Sequence, residues 1–314
     1  MHSRLVAVGY PEDAAAELAM HIKEAVQLRR RELLSGYLAW RWAYEVERGA
    51  LAEEVADQFK LAREATLSYF PEAADIWPDV SDDRLSVAEA RLPLLDDSEE
   101  GRLGARYLEL LLASKRREAT QLILSEVDAG LSIDSLYLNV FQPVLREIGR
   151  LWQINELQIG QEHFCTAVSQ AIMAQLYPRI FSHDPIGRLV IATTVSGELH
   201  EIGIRMVADI FEMHGWDTYY MSSDCPSEAI IDSLLAQQPH ALAIGVTTLR
   251  NIDNARKLIT EVRSMNQISD TVVLVGGHIF VRMPTLWQEI GADGWAQDAI
   301  SAVSEANRLT GASQ

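Results

Sequence analysis

In the first third of the chain, apolar residues recur three and four positions apart, the spacing that lines one face of a helix. Residues 14–28 (AAAELAMHIKEAVQL) and 51–70 (LAEEVADQFKLAREATLSYF) follow it, with the aromatic-rich stretch SGYLAWRWAYEVERG between them. The same period returns over 106–130 (RYLELLLASKRREATQLILSEVDAG) and predicts a helix closed by Gly130. Two more helices are predicted at 132–152, opened by Ser132, and at 157–177. With a short helix before them they form a four-helix bundle or a close variant.

From HDPIG (183–187) onward the texture changes. Five short apolar runs, RLVIATT, WDTYYM, HALAIGVT, DTVVLVGG and ADGWAQ, each precede a helical stretch. That alternation predicts a parallel sheet covered on both faces, a flavodoxin- or Rossmann-like doubly wound domain. The expected fold class is therefore all-α followed by α/β. Its expected parts are a helical N-terminal region with an acidic linker (1–100), a helical-bundle cap (101–183) and the doubly wound domain (184–314).

Composition narrows the function. The 314 residues carry a formal charge of −18, which argues against nucleic-acid binding, since that requires clustered Lys and Arg. The two short basic runs, Arg29-Arg30-Arg31 and Lys115-Arg116-Arg117, read as solvated helix faces. Residues 71–100 hold ten acids, two arginines and three prolines and read as a connector, with a short helix around SVAEAR. No apolar run is long enough to span a bilayer, no signal-peptide pattern opens the chain, and Cys165 and Cys225 form no close pair. A cytoplasmic setting is expected. No residue set suggests stand-alone catalysis, so the chain is not expected to be an enzyme.

In a doubly wound sheet, ligands sit beyond the carboxyl ends of the strands. The loop after the first strand, TTVSGELHEIG, carries Ser196 among its candidate cofactor-binding residues and lacks the G-x-G-x-x-G of dinucleotide sites. Its His200 could cap a helix, act as a base or hold a metal. The metal reading suits it because Glu198, two residues earlier, can orient the ring, and Gly203 would let a bulky ligand approach the backbone. After the third strand come Thr247, Thr248 and Leu249, the threonines offering hydroxyls, and after the fourth the bare backbone of Gly276-Gly277.

The order E-x-H-x-x-G, [ST]-x-L and GG, carried by Glu198, His200 and Gly203, then Thr247 and Leu249, then Gly276 and Gly277, resembles the cobalamin (vitamin B12)-binding module. The resemblance covers roughly residues 186–312. It implies that His200 is the lower axial ligand of cobalt, polarised by Glu198, with the later motifs enclosing the nucleotide tail. Methyl-transfer and mutase members usually carry Asp at the first position, whereas light-sensing members carry Glu, as here.

Upstream, PVLREIGRLWQINELQIGQEHF resembles the helical cap of B12-dependent photoreceptors, with Trp152 followed ten residues later by Glu162-His163. By that resemblance Trp152 packs against the upper axial group and Glu162 and His163 contact an adenosyl ligand, making adenosylcobalamin the expected form. Two departures stand out. Gln153 replaces the histidine that ligates cobalt after illumination in DNA-binding relatives, and no winged-helix domain is recognisable at the start. The resemblance implies a light sensor whose homo-oligomeric assembly or contact with a protein partner changes on illumination, without nucleic acid or membrane. A subgroup, the photocobilins, pairs B12 with biliverdin, which adds a noncovalent bilin held by the aromatic N-terminal helices. A corrinoid methyl-carrier protein is the alternative from another class.

Overall fold

The computed structural model describes residues 1–29, 31, 34–35, 37–38, 41–42, 45, 50–77, 96–153, 156–181 and 184–311. The chain separates into two compact units. One comprises Met1–Asp96 with Val144–Cys165, and the other comprises Asp97–Pro143 with Thr166–Gln314.

In the first unit, helix α1 (His2–Ala7) lies against α2 (Glu12–Leu28) and α3 (Ala52–Leu67), and a 3₁₀ turn follows at Pro71–Asp75. Leu5, Leu18, Ile22, Val55 and Phe59 form its core, as the helical spacing of these apolar positions requires. The ring of Tyr37 stacks on His21 at 4.5 Å, and Trp42 meets Phe59 at 6.2 Å. Arg29 takes a left-handed conformation (φ 51°) and ends α2, while Arg31 is again helical and exposed. Arg30, Trp40, Tyr44, most of the acidic connector and the short helix expected around SVAEAR lie outside the described residues.

The second unit begins with α4 (Glu99–Leu112), capped by the Ser98 hydroxyl, which accepts from the Gly101 amide at 2.9 Å. The helix therefore starts inside the stretch read as connector. The single helix expected over 106–130 is two, because Ser114 adopts φ 58° and the chain turns before α5 (Arg116–Asp128). Ser132 caps the next turn as expected, accepting from Ser135 N at 3.2 Å. Residues Leu136–Phe141 then wind as a π-helix before α6 (Gln142–Gln153). Pro143 is the cause nearest at hand, since it has no amide to close an α-helical bond to the Asn139 carbonyl. Helix α7 (Ile159–Leu176) follows; α6 from Val144 on and α7 up to Cys165 belong to the first unit, and the rest of α7 to the second.

The sheet follows the predicted alternation. Strands β1 (Leu189–Thr194), β2 (Asp217–Tyr220), β3 (Ala241–Gly245), β4 (Val272–Gly276) and β5 (Gly294–Ala296) are all parallel, in the order β2-β1-β3-β4-β5. Val190 pairs with Ala241, and Leu242 with Val273. Because helices cover the sheet, the central strands are continuous buried runs: Val190–Ala192, Ala241–Ile244 and Val273–Val275. The connecting helices are α8 (Glu201–Met213), α9 (Ser227–Gln237), α10 (Ile252–Ser264), the short α11 (His278–Arg282) and α12 (Leu286–Glu289), and the final α13 (Ala299–Thr310). Phe211 meets Trp216 edge to face at 5.2 Å, and the indole N–H of Trp216 donates to Asn307 at 3.0 Å, tying α8 to α13. Strand order reverses between β1 and β3, so the loops that leave these strands flank the crevice where such sheets take ligands.

Candidate functional site

Two of the loops named from the sequence meet at a buried carboxylate. Glu198 is 1% exposed although it is an acid. Its Oε1 accepts from His200 Nδ1 at 2.5 Å and from the His200 amide at 3.2 Å. Its Oε2 accepts from the Thr247 amide at 2.8 Å, the Thr248 amide at 3.2 Å and Asn251 Nδ2 at 2.9 Å. Burial alone would raise the Glu198 pKa. The bonds from His200, Asn251 and Thr247 outweigh it and bring the carboxyl down to about 2, so it is a fixed anion at neutral pH.

That anion sets the histidine. With Nδ1 facing a carboxylate, the ring takes the tautomer that leaves the lone pair on Nε2, and the carboxylate makes that lone pair more basic. The imidazole is 59% exposed at the mouth of the loop. A cap role is not observed, because His200 stands at the start of α8 without a side-chain cap bond. Among the described residues no group of three His, Cys, Asp or Glu side chains could hold a metal ion. A lone imidazole on a buried carboxylate suits a metal that arrives already coordinated on its other sides.

The two glycines serve different ends. Gly277 (φ 118°) could not carry a side chain, since a Cβ would fall on the Val246 carbonyl, 2.7 Å from its carbon. Gly203 differs: among the described residues a Cβ there meets nothing within 4 Å beyond its own helix. A glycine in the first turn of a helix weakens it relative to alanine, and here no packing within the chain requires it. The space beside His200 is thus left open at a cost to the helix.

Other residues fall less as expected. Thr247 and Thr248 reach Glu198 through their backbone amides, with the Thr248 hydroxyl at 3.5 Å, so the hydroxyl role read from the sequence is secondary. Leu249 is buried and serves the core. Ser196 offers its carbonyl to Asn254 Nδ2 at 2.8 Å, and its hydroxyl lies 3.4 Å from Asp224. Asn251 and Asp224 were missed. Asn251 sits where a polar residue precedes a helix, which signals a cap and nothing more. Asp224 belongs to the loop after β2, and its carboxylate accepts from the Gly197 amide at 2.7 Å.

In the other unit, Trp152 closes α6 and is 43% exposed, while Glu162 and His163 open α7 with Glu162 Oε2 2.7 Å from His163 Nδ1.

Residues 188–304 match the family described as B12 binding domain, and residues 103–177 match a second family of the same description. The chain carries B12-binding domains. A corrinoid protein of Desulfitobacterium hafniense is 29% identical over 174 residues, covering 52% of this chain and 77% of that protein. The HTH-type transcriptional repressor CarA of Myxococcus xanthus is 22% identical over 203 residues, covering 63% and 67%. Among solved structures, the monomethylamine corrinoid protein of Methanosarcina barkeri superposes with a TM-score of 0.58 at 17% identity, over 66% of this chain and 98% of that one. At that identity the likeness concerns the fold. Placed on the B12-binding domain, Glu198, His200 and Gly203 stand after its first strand, Thr247 and Leu249 after its third, and Gly276 and Gly277 at the end of its fourth. Among the described residues no helix is long and apolar enough to cross a membrane.

Proposed function

We propose that this chain is a B12-dependent light sensor, arranged as a helical N-terminal region, a helical cap and a B12-binding domain. The observation that carries the reading is Trp152. A core aromatic at a helix end would be buried, whereas this indole is 43% exposed at the end of α6, with the Glu162–His163 pair ten residues on. An aromatic face beside a carboxylate and an imidazole is the chemistry that recognises a nucleoside such as an adenosyl group.

Bound adenosylcobalamin supplies a cobalt–carbon bond that visible light breaks. The chain's own residues do the rest. His200, held by Glu198, would coordinate the metal, Gly203 would leave the ligand room beside the helix, and Gly276 and Gly277 would line its approach. Trp152, Glu162 and His163 would be the residues that recognise an adenosyl group, and its loss would remove their partner. A helical segment that packs well in only one of the two states is a two-state element biased by its ligand. Its output is a change in homo-oligomeric state or in contact with a protein partner.

The test is an absorption spectrum and a size-exclusion profile of protein loaded with adenosylcobalamin, before and after illumination. Identical spectra and elution in light and dark reject the sensor. A parallel preparation with biliverdin tests the second chromophore: a bilin band that survives purification supports it, and its absence removes it.

The corrinoid carrier is kept as a second reading because relatives named corrinoid proteins match more than half of the chain. Transfer of a methyl group to or from the loaded protein by methyltransferase extracts, with no response to light, would establish it instead.

A further inference from the structure

His200 is held from two sides, and only one of them belongs to the motif read from the sequence. Its backbone is the centre of an inverse γ-turn, with φ −77° and ψ 78° and the Glu201 amide donating to the Leu199 carbonyl at 2.9 Å. Glu198 precedes this turn. Glu201 follows it, at the first position of α8, and its carboxylate is also spanned by donors.

Ser222 Oγ donates to Glu201 Oε2 at 2.8 Å and Ser223 Oγ to the same atom at 3.3 Å, both from the loop after β2. Gln170 Nε2, on α7, donates to Oε1. One carboxylate therefore joins two separate elements to the residue next to the imidazole. Bonds to an ionised acceptor are stronger than neutral ones and hold a defined direction.

The loop after β2 is strained in the service of this arrangement. Ser222 (φ 66°) and Asp224 (φ 53°) are both left-handed without being glycine, a conformation that residues with a Cβ adopt at a cost. These are the residues that aim a hydroxyl at Glu201 and a carboxylate at the Gly197 amide. Backbone strain held in place by its surroundings gathers where side chains must point in a set direction.

We infer that Glu201 is a positioning residue for His200, and that through Gln170 it makes the imidazole's position depend on α7. The inference rests on His200 being the cobalt ligand. Gln170 lies two turns after Glu162 and His163 on the same helix, so a shift of α7 along its axis is felt at the γ-turn.

The experiment compares the full-length chain with Glu201→Ala, Gln170→Ala, the double variant and His200→Ala. Amide hydrogen exchange over residues 196–203 is measured without cofactor. The same proteins, loaded with hydroxocobalamin, are titrated to low pH while the absorption signature of imidazole coordination is followed. Loss of a charge-assisted bond predicts about tenfold faster exchange in each single variant, and a release midpoint raised by about one pH unit. The double variant should match Glu201→Ala alone, since both residues act through one contact. Wild-type exchange and midpoint in both single variants, or additive shifts in the double, overturn the inference. A wild-type spectrum in His200→Ala instead overturns the ligand reading itself. Should Glu201→Ala fail to fold, Gln170→Ala and Ser222→Ala with Ser223→Ala decide the matter by the same two measurements.

Discussion

Asn251 holds Glu198 from the far end of the loop after β3: its Nδ2 donates to Glu198 Oε2 at 2.9 Å and lies 2.9 Å from the Thr248 hydroxyl. Both residues are buried, so neither has water to fall back on. Asn251→Ala should destabilise the protein by about 1–3 kcal/mol in urea unfolding, the cost of leaving a buried charge short of a donor. Asn251→Asp should cost more, because it sets a second carboxylate against the first.

The two glycine types should part company on substitution. Gly277→Ala drives a Cβ into the Val246 backbone at a positive φ and should lower the thermal midpoint sharply or prevent folding. Gly203→Ala meets no neighbour and should leave apo-protein stability equal or raise it by up to about 1 kcal/mol. The same variant should bind cobalamin more weakly, by equilibrium titration. A stabilised apo-protein with undiminished affinity would show that the open space is not for the ligand.

Asp209 gives a pH dependence of definite sign. It lies on α8 with its carboxylate accepting from the Tyr137 hydroxyl at 2.8 Å. Burial raises its pKa to about 6, against the lowering effects of Tyr137 and Arg205 and with Glu212 adding to the rise. Between the unfolded value near 4 and the folded value near 6 the folded chain binds more protons, so this group's contribution to stability falls as pH rises across that window. The fall is on the order of 3 kcal/mol and levels off above it. Glu198 has the opposite sign at lower pH, gaining stability from about 2 to about 4.5. Asp209→Asn should therefore flatten only the upper window, read as the difference between wild-type and variant urea midpoints from pH 4 to pH 7.

Trp152→Ala should leave the protein folded at a cost of about 2–3 kcal/mol, because an indole left 43% exposed still buries more than half of its surface. On the light-sensor reading it should nonetheless slow or abolish the change in elution that follows illumination. A large fall in thermal midpoint with an intact light response would return Trp152 to a purely structural role.

The sheet was legible because each central strand is a continuous apolar run beside a helix of clear period, and both patterns come straight from burial. The helical region was legible in outline only. Its break at Ser114 and its π-helical stretch depend on backbone conformations that the apolar period does not encode, though Pro143 hinted at the second. In the site, His200, Glu198 and the glycines could be read because their spacing along one loop is local. Asn251, Asp224, Ser222 and Gln170 reach the same loop from three other elements. Each carries an ordinary polar side chain, and only the packing of α7, α10 and the β2 loop brings them there.

The π-helix at Leu136–Phe141 sets the phase of everything wound after it. Its wider turns accommodate an extra residue, and each α-helical residue advances the next by roughly 100°. Deleting one residue from this stretch would leave the composition of α6 untouched but turn every residue after it by that angle about the helix axis. Trp152 would then point along a different bearing. The aim of that indole is thus written eleven residues or more upstream, as a miscount in the winding of the chain.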